Sequence, residues 1–196
     1  MMKTIEASYL EFCSLPSKEW RKDFFSWETG GFVATHVLKA KDAVKRPGIA
    51  KEVEACLALA KMGKHVLRLP ENVLDKIDTI HINGKPYREL LKFKPGFEKP
   101  RGYPDVYFDG QTWDFKTSTF RNEDSLRQTI KDGRKADNII ILSEESSDFF
   151  LKAMYSSIGR EFGSREKDGS WMELPNVYLL TEMSWELVWT NRVGEK

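Results

Sequence analysis

The sequence predicts an α/β fold, a mixed β-sheet flanked by helices, with a helical extension at the amino terminus. Three observations carry that prediction. Asp109-Gly110, flanked by alternating β-branched and aromatic residues, marks a two-residue hairpin, because both central positions of such a turn take positive φ. The strand leaving that turn toward Lys116 is followed by a helical stretch and then by the apolar run Ile139-Ile140-Ile141-Leu142. Together they make a strand-helix-strand unit whose second strand is covered on both faces. Residues from Ile49 to Met62, broken at Gly63, form an amphipathic helix that can lie against the sheet.

In residues 1–40, Tyr9, Leu10 and Phe12, then Trp20, Phe24, Phe25 and Trp27, recur at helix-like intervals. Pro16-Ser17 breaks and caps the run, so a mostly helical segment is expected there, packed on the remainder, 41–196. At about 100° per residue, Ala55, Cys56, Leu59 and Ala60 line one face of the next helix, with Glu52 in the middle of that stripe and Glu54 opposite it. His65-Val66-Leu67-Arg68-Leu69 is the first strand of this region. Asn83-Gly84 marks a second hairpin tip, and Tyr87 to Leu91 is a short helix or strand. The stretch from Lys94 to Tyr103, with Pro95, Gly96, Pro100 and Gly102, is loop. Asn122 caps a helix that runs through Leu126 and Ile130 to Gly133. A helix from Phe149 to Ile158, a loop at Gly163 to Gly169, and strands at Val177–Leu180 and Trp185–Trp189 complete the chain.

The hairpin register concentrates charge. Counting outward from the turn, Phe108 faces Gln111, Tyr107 faces Thr112, Val106 faces Trp113 and Asp105 faces Asp114. Alternation along a strand puts Val106, Phe108, Trp113 and Phe115 on one face and Asp105, Asp114 and Lys116 on the other. Like charges directly opposed across strands are destabilising, and a divalent metal between them would remove the conflict. A merely solvated face would more usually pair opposite charges.

Two carboxylates and a lysine on a hairpin that begins Pro104-Asp105 and ends Asp114-Phe115-Lys116 resemble the PD-(D/E)xK nuclease superfamily. The resemblance covers about residues 49–145. The superfamily implies a restriction-endonuclease-like core in which the carboxylates hold Mg²⁺ or Mn²⁺ and the lysine positions the attacking water. It also implies a further acidic ligand on a helix ahead of the hairpin. Glu52 is the choice, because an acid in an apolar stripe is costly unless paired or metal-bound, whereas solvation explains Glu54. Within the superfamily, the succession of hairpin, basic helix and buried strand is similar to the tRNA-cleaving toxin domains at the C-termini of contact-dependent growth inhibition proteins. That likeness implies RNA, with tRNA favoured over DNA, and an immunity protein as partner. It also implies phosphate contacts from the helix after the hairpin, where Gln128, Lys131 and Lys135 are the candidates.

Composition bounds these readings. With 40% hydrophobic and 12% aromatic residues in 196, the chain can bury one substantial core, and a single domain is expected. A formal net charge of +1 excludes a globally basic nucleic-acid binder, so phosphate contacts must come from local clusters. Two such clusters are Lys39, Lys41, Lys45 and Arg46, and Lys92, Lys94, Lys99 and Arg101 interleaved with Phe93 and Phe97. Cys13 and Cys56 alone suit a reducing compartment, and no apolar run is long enough to span a membrane, so a soluble protein acting in cytoplasm is expected. His36, His65 and His81 lack metal-ligand spacing, which argues against zinc. The competing class is a non-catalytic binding module on a nuclease-like fold. A DNA nuclease of phage or mobile-element origin is the other alternative.

Overall fold

The computed structural model describes residues 4–42, 49–94, 96–117, 123–142, 148–166, 175–180 and 185–189. The chain forms two compact units, Met1–Leu91 with Tyr103–Thr112, and Lys92–Gly102 with Trp113–Lys196. Each is α/β with a mixed set of strands, in keeping with the fold class expected from sequence.

In the first unit, α1 (Ile5–Ser14) begins at Thr4, whose hydroxyl accepts the Ala7 N–H at 3.2 Å as an N-cap. Its Phe12 ring sits 5.6 Å from Phe25 and 5.2 Å from Phe32, centroid to centroid. Those partners lie on β1 (Trp20–Phe25) and β2 (Phe32–His36), which pair antiparallel. The first forty residues are therefore not mostly helical. A register shift between Lys22 and Phe24 breaks the alternation of β1, so its aromatics fall at spacings that imitate a helix. Ring-rich sequence then favours the strand once it can pack on α1.

The chain returns through α2 (Val37–Asp42) and α3 (Ile49–Lys61) to β3 (His65–Arg68), which pairs parallel with β2. Ala55, Cys56, Leu59 and Ala60 are the buried residues of α3, as the stripe requires. This helix ends in a Schellman arrangement: Gly63, at φ 85°, donates to the Ala60 carbonyl at 2.9 Å and Lys64 donates to Leu59 at 3.0 Å. The turn between β1 and β2 rests on that end. Thr29 donates its hydroxyl to the Ala60 carbonyl at 3.0 Å, and a Cβ added at Gly31 would stand 1.9 Å from the same oxygen.

A two-stranded hairpin, β4 (His81–Ile82) and β5 (Lys85–Pro86), turns at Asn83 and Gly84, with φ of 50° and 78°. A 3₁₀ turn, Tyr87–Leu90, follows, and the buried Tyr87 hydroxyl donates to the Pro70 carbonyl at 2.8 Å. Strand β6 (Val106–Phe108) then pairs antiparallel with β3 and leads to Asp109 and Gly110, with φ of 51° and 79°. Both turns have the two positive φ angles expected from Asn-Gly and Asp-Gly.

In the second unit, β7 (Gln111–Thr117, from Trp113 onward), α4 (Glu123–Asp132) and β8 (Asn138–Leu142) form the expected strand-helix-strand unit, with β7 and β8 parallel. The proposed cap Asn122 lies outside the described residues. After α5 (Asp148–Glu166), β9 (Asn176–Leu180) pairs parallel with β8, and β10 (Trp185–Trp189) pairs antiparallel with β9. Leu126 and Ile130 of α4, Ile139 and Ile141 of β8, and Phe150, Met154 and Ile158 of α5 share one core. Helix α5 continues past this core to Glu166, so Gly163–Glu166, expected as loop, is helical. Residues 167–169 of that expected loop lie outside the described set. A Cβ added at Gly133 would stand 2.2 Å from Ile139 Cδ1, so the turn after α4 lies directly on β8. Among the described residues, no helix is long and apolar enough to cross a membrane.

Candidate functional site

The four residues expected to act together are distributed over the two units, Glu52 and Asp105 in the first and Asp114 and Lys116 in the second. Each pair belongs to a distinct cluster of charge.

The first cluster gathers at the carboxyl ends of the parallel strands β2 and β3, where open α/β sheets place their ligands. At its centre is Lys39 of α2, whose side chain is 6% exposed. Its Nζ lies 2.9 Å from Glu52 Oε1, 3.1 Å from Glu71 Oε1 and 3.9 Å from Asp105 Oδ1, and it donates to the Asp105 carbonyl oxygen at 3.3 Å. Arg68, at the end of β3, donates Nη2 to the same Glu52 oxygen at 3.0 Å and Nη1 to Thr35 Oγ1 at 3.3 Å. Thr35 in turn donates to Asp23. Three carboxylates therefore surround Lys39, and Arg68 shares one of them, Glu52. Burial works against the Lys39 ammonium, but the fields of Asp105, Glu52 and Glu71 outweigh it and hold its pKa above the ordinary lysine value. Cys56, fully buried on α3, has its thiol pushed up chiefly by burial.

The choice of Glu52 over Glu54 agrees with this placement, since the Glu52 side chain is 14% exposed and held by two cations while Glu54 is exposed. Lys39 was expected in a surface basic cluster with Lys41, Lys45 and Arg46. It is instead buried and committed to carboxylates. Lys45 and Arg46 lie outside the described residues. Glu71 and Arg68 carried no sequence signal beyond an acid following Leu69-Pro70 and a cation within a strand. An arginine in an otherwise apolar strand, buried when the strand is central, is the clue that could have found the cluster.

The second cluster is built on β7. Asp114 is fully buried, and its two oxygens are each 2.7 Å from an ammonium, Oδ2 from Lys116 and Oδ1 from Lys135. The lysine side chains keep 24% and 21% of their surface exposed, so one buried carboxylate anchors two cations that reach solvent. Asp114 pairs in register with Ile139 of β8 and Lys116 with Ile141, both members of the apolar core. The side chains from Thr112 to Phe115 are all buried, so this stretch of β7 has no solvated face.

Of the phosphate-contact candidates, Lys135 alone reaches Asp114. Gln128 is exposed and donates to Asp132 at 2.6 Å, and Lys131 is exposed, its carbonyl accepting from Arg134 at 3.0 Å. A Cβ added at Gly102 would stand 3.0 Å from Lys135 Cδ, so the loop before the hairpin covers the Lys135 stem. In the other basic cluster, Lys92 is paired with Asp137, Phe93 forms a β-bridge with Pro100, and Phe97 is 65% exposed.

No protein family, curated protein or solved structure matches this chain. The expected conflict between unneutralised Asp105 and Asp114 does not arise in the form the register suggested, because Lys39 lies beside one and Lys116 and Lys135 beside the other. The oxygen donors Glu52, Glu71 and Asp105 are of the type a hard divalent cation takes. Their spacing is set by an ammonium instead: among the described residues, no three acidic, histidine or cysteine side chains stand close enough together to hold a metal ion.

Proposed function

We propose that this chain is a metal-dependent nuclease acting on RNA. In this reading, which follows the resemblance, Glu52, Asp105 and Asp114 are the residues that would hold a Mg²⁺ or Mn²⁺, and the ion would supply charge stabilisation and an acidified water. Lys116 would position the attacking water and face the charge that develops on phosphate. Lys135 adds a second cation beside it. The observation that supports the reading best is Asp114, a carboxylate with no exposed surface held 2.7 Å from the lysine two residues along. A charge so buried is costly, and structural need alone rarely retains it when an apolar residue of similar volume would pack as well.

The likeness to the growth-inhibition toxin domains favours tRNA as substrate and an immunity protein as partner. The decisive experiment incubates the purified chain with total tRNA and with plasmid DNA, in Mg²⁺, Mn²⁺ or EDTA. Metal-dependent cleavage of RNA, lost in EDTA and reduced about 10²-fold or more by Lys116→Ala with binding retained, is the expected result. Cleavage of plasmid alone would make the substrate DNA, as for an enzyme of phage or mobile-element origin. A non-catalytic binding module is the second reading, favoured by the fact that Lys39 already neutralises Glu52. Salt-dependent binding without cleavage under any metal would decide for it.

A further inference from the structure

The loop Lys92–Arg101 belongs to the second unit, and the proposed chemistry makes no use of it. Four of its ten residues are cations and one, Glu98, is an anion, in a chain whose net charge is only +1. Hairpin contacts brace it. The Arg101 N–H donates to the Lys92 carbonyl at 2.7 Å, Phe93 and Pro100 form an antiparallel bridge, and the Phe97 N–H donates to the Lys94 carbonyl at 3.1 Å. Its root is pinned by the ion pair of Lys92 with Asp137 and by Gly102, which lies against the Lys135 stem. Phe97 stands at the tip with 65% of its surface exposed, between the exposed Lys94 and Lys99. Among the described residues, a Cβ added at the neighbouring Gly96 would meet nothing within 4 Å. A braced loop thus holds an aromatic ring out in open space.

What surrounds the ring narrows what it can meet. Protein interfaces are rich in aromatics but depleted of lysine, whereas surfaces for single-stranded nucleic acid set rings among cations, the rings for bases and the cations for phosphates. Lys94, Phe97 and Lys99 follow the second pattern. Lys135, at the root of the loop, stands 2.7 Å from Asp114, as Lys116 does, so basic character continues from the loop into the cation pair on β7. A lipid surface also attracts lysines and rings, but it gives no reason for the loop to join that pair. We propose that Phe97 stacks on an unpaired base of single-stranded nucleic acid, with Lys94 and Lys99 on the flanking phosphates. The inference deepens the nuclease reading above and rests on it, naming the single-stranded part of the substrate as what this loop selects. In a duplex both faces of a base are covered by its neighbours, and a ring has no face to stack on. Discrimination between single and double strands therefore belongs to Phe97, and general affinity to the lysines.

The test measures binding by the full chain in EDTA, where metal-dependent cleavage cannot interfere. Fluorescence anisotropy follows a labelled, unstructured strand of about 12 nucleotides, made as RNA and as DNA, and the RNA strand annealed to its complement. Phe97→Ala is expected to weaken binding of the single strands about tenfold and to leave the duplex unchanged, while Phe97→Trp keeps the wild-type affinity. A loss confined to RNA or to DNA assigns the loop to that polymer. Replacing Lys94 and Lys99 together by Ala should weaken single strand and duplex alike, and should lower the slope of log affinity against log salt by about 1.4 for the single strand. The proposal fails if the single strands do not bind, if Phe97→Ala binds them as wild type does, or if the duplex suffers the same loss. Phe97-dependent binding to phosphatidylserine vesicles, with no binding to any oligonucleotide, would assign the loop to a membrane and overturn it. The nuclease reading is judged apart, by cleavage in Mg²⁺ or Mn²⁺. Cleavage with binding indifferent to Phe97 keeps the enzyme and removes this contact, whereas Phe97-dependent binding without cleavage does the reverse.

Discussion

The two charged clusters solve the same problem, a charge inside a folded protein, with opposite balances. In the first unit three carboxylates surround Lys39, Arg68 shares one of them, and the surplus is negative. In the second a single carboxylate, Asp114, holds Lys116 and Lys135, and the surplus is positive. The two clusters thus differ in the sign of the charge they leave uncompensated. Exposure separates them further. The cation of the first cluster is sealed in, whereas the cations of the second reach solvent, so the same residue type should behave differently in the two places.

The largest expected difference is in metal-free stability. Lys39→Met leaves three partly buried carboxylates facing one another and should cost roughly 3–5 kcal/mol, as for breaking a buried ion pair. Lys116→Met should cost under about 1 kcal/mol, because Lys135 still neutralises Asp114 and the lost ammonium was partly solvated. Urea unfolding in EDTA compares the two, and equal losses would erase the distinction between a sealed and an open cluster.

Close-approach glycines offer the next comparison. Gly31→Ala would drive a Cβ against a backbone carbonyl that already caps a helix end, and about 3 kcal/mol should be lost. Gly133→Ala meets the end of an isoleucine side chain, which can shift within its core, so about 1–2 kcal/mol is expected. A larger loss for Gly133→Ala would mean that the core around Ile139 is the more rigid of the two.

Asp114→Asn probes the second cluster from its centre. Had Asp105 and Asp114 stood as unneutralised like charges, this change would leave the metal-free protein unaffected or more stable. With two ammoniums on the carboxylate, it should instead cost about 2 kcal/mol, within the range for hydrogen bonds to charged groups. Thermal unfolding in EDTA decides the sign.

The smallest effect belongs to His36, at the end of β2 near the first cluster. Burial holds its imidazole below the ordinary histidine value against the pull of Glu19, and its Nδ1 accepts the Leu38 N–H at 3.3 Å, which requires that nitrogen unprotonated. The unfolded chain thus takes up this proton at higher pH than the folded protein. The stabilisation is complete above about pH 6.5 and is lost as pH falls through the depressed folded value. Melting temperatures measured between about pH 7 and pH 5 should decline, and His36→Gln should flatten that decline.

How much of this was legible in the sequence depended on how local the cause is. Both two-residue turns, the α3 stripe with its glycine stop, and the β7-α4-β8 unit were readable, because a turn, a cap and a period of 3.6 are written in neighbouring residues. The first forty residues were misread because a bulge in β1 mimicked helical spacing. Glu52 was found because an acid in an apolar stripe advertises a partner. The partner was not found, since Lys39 among Lys41, Lys45 and Arg46 has the local appearance of a solvated cluster, and only the meeting of α2, α3, β3 and the segment before β6 gives it three carboxylates. Likewise Gln128, Lys131 and Lys135 are equivalent on paper, and the turn at Gly133–Lys135 selects the last.

The order in which the segments occur along the chain bears on synthesis. The first unit is completed by Tyr103–Thr112, which is made only after Lys92–Gly102, a piece of the second. On the ribosome the edge of β3 that β6 will cover, at Leu67 and Arg68, must wait for the chain from Leu69 to Asp105, a few seconds at about 5–20 residues per second. An uncovered strand edge is a place where nascent chains pair with the wrong neighbour. Because the segments interleave, no single cut in the polypeptide separates one unit from the other without carrying a piece of its neighbour. A fragment ending at Leu91 lacks β6, so nascent-chain aggregation should peak at that length and fall once Thr112 has emerged.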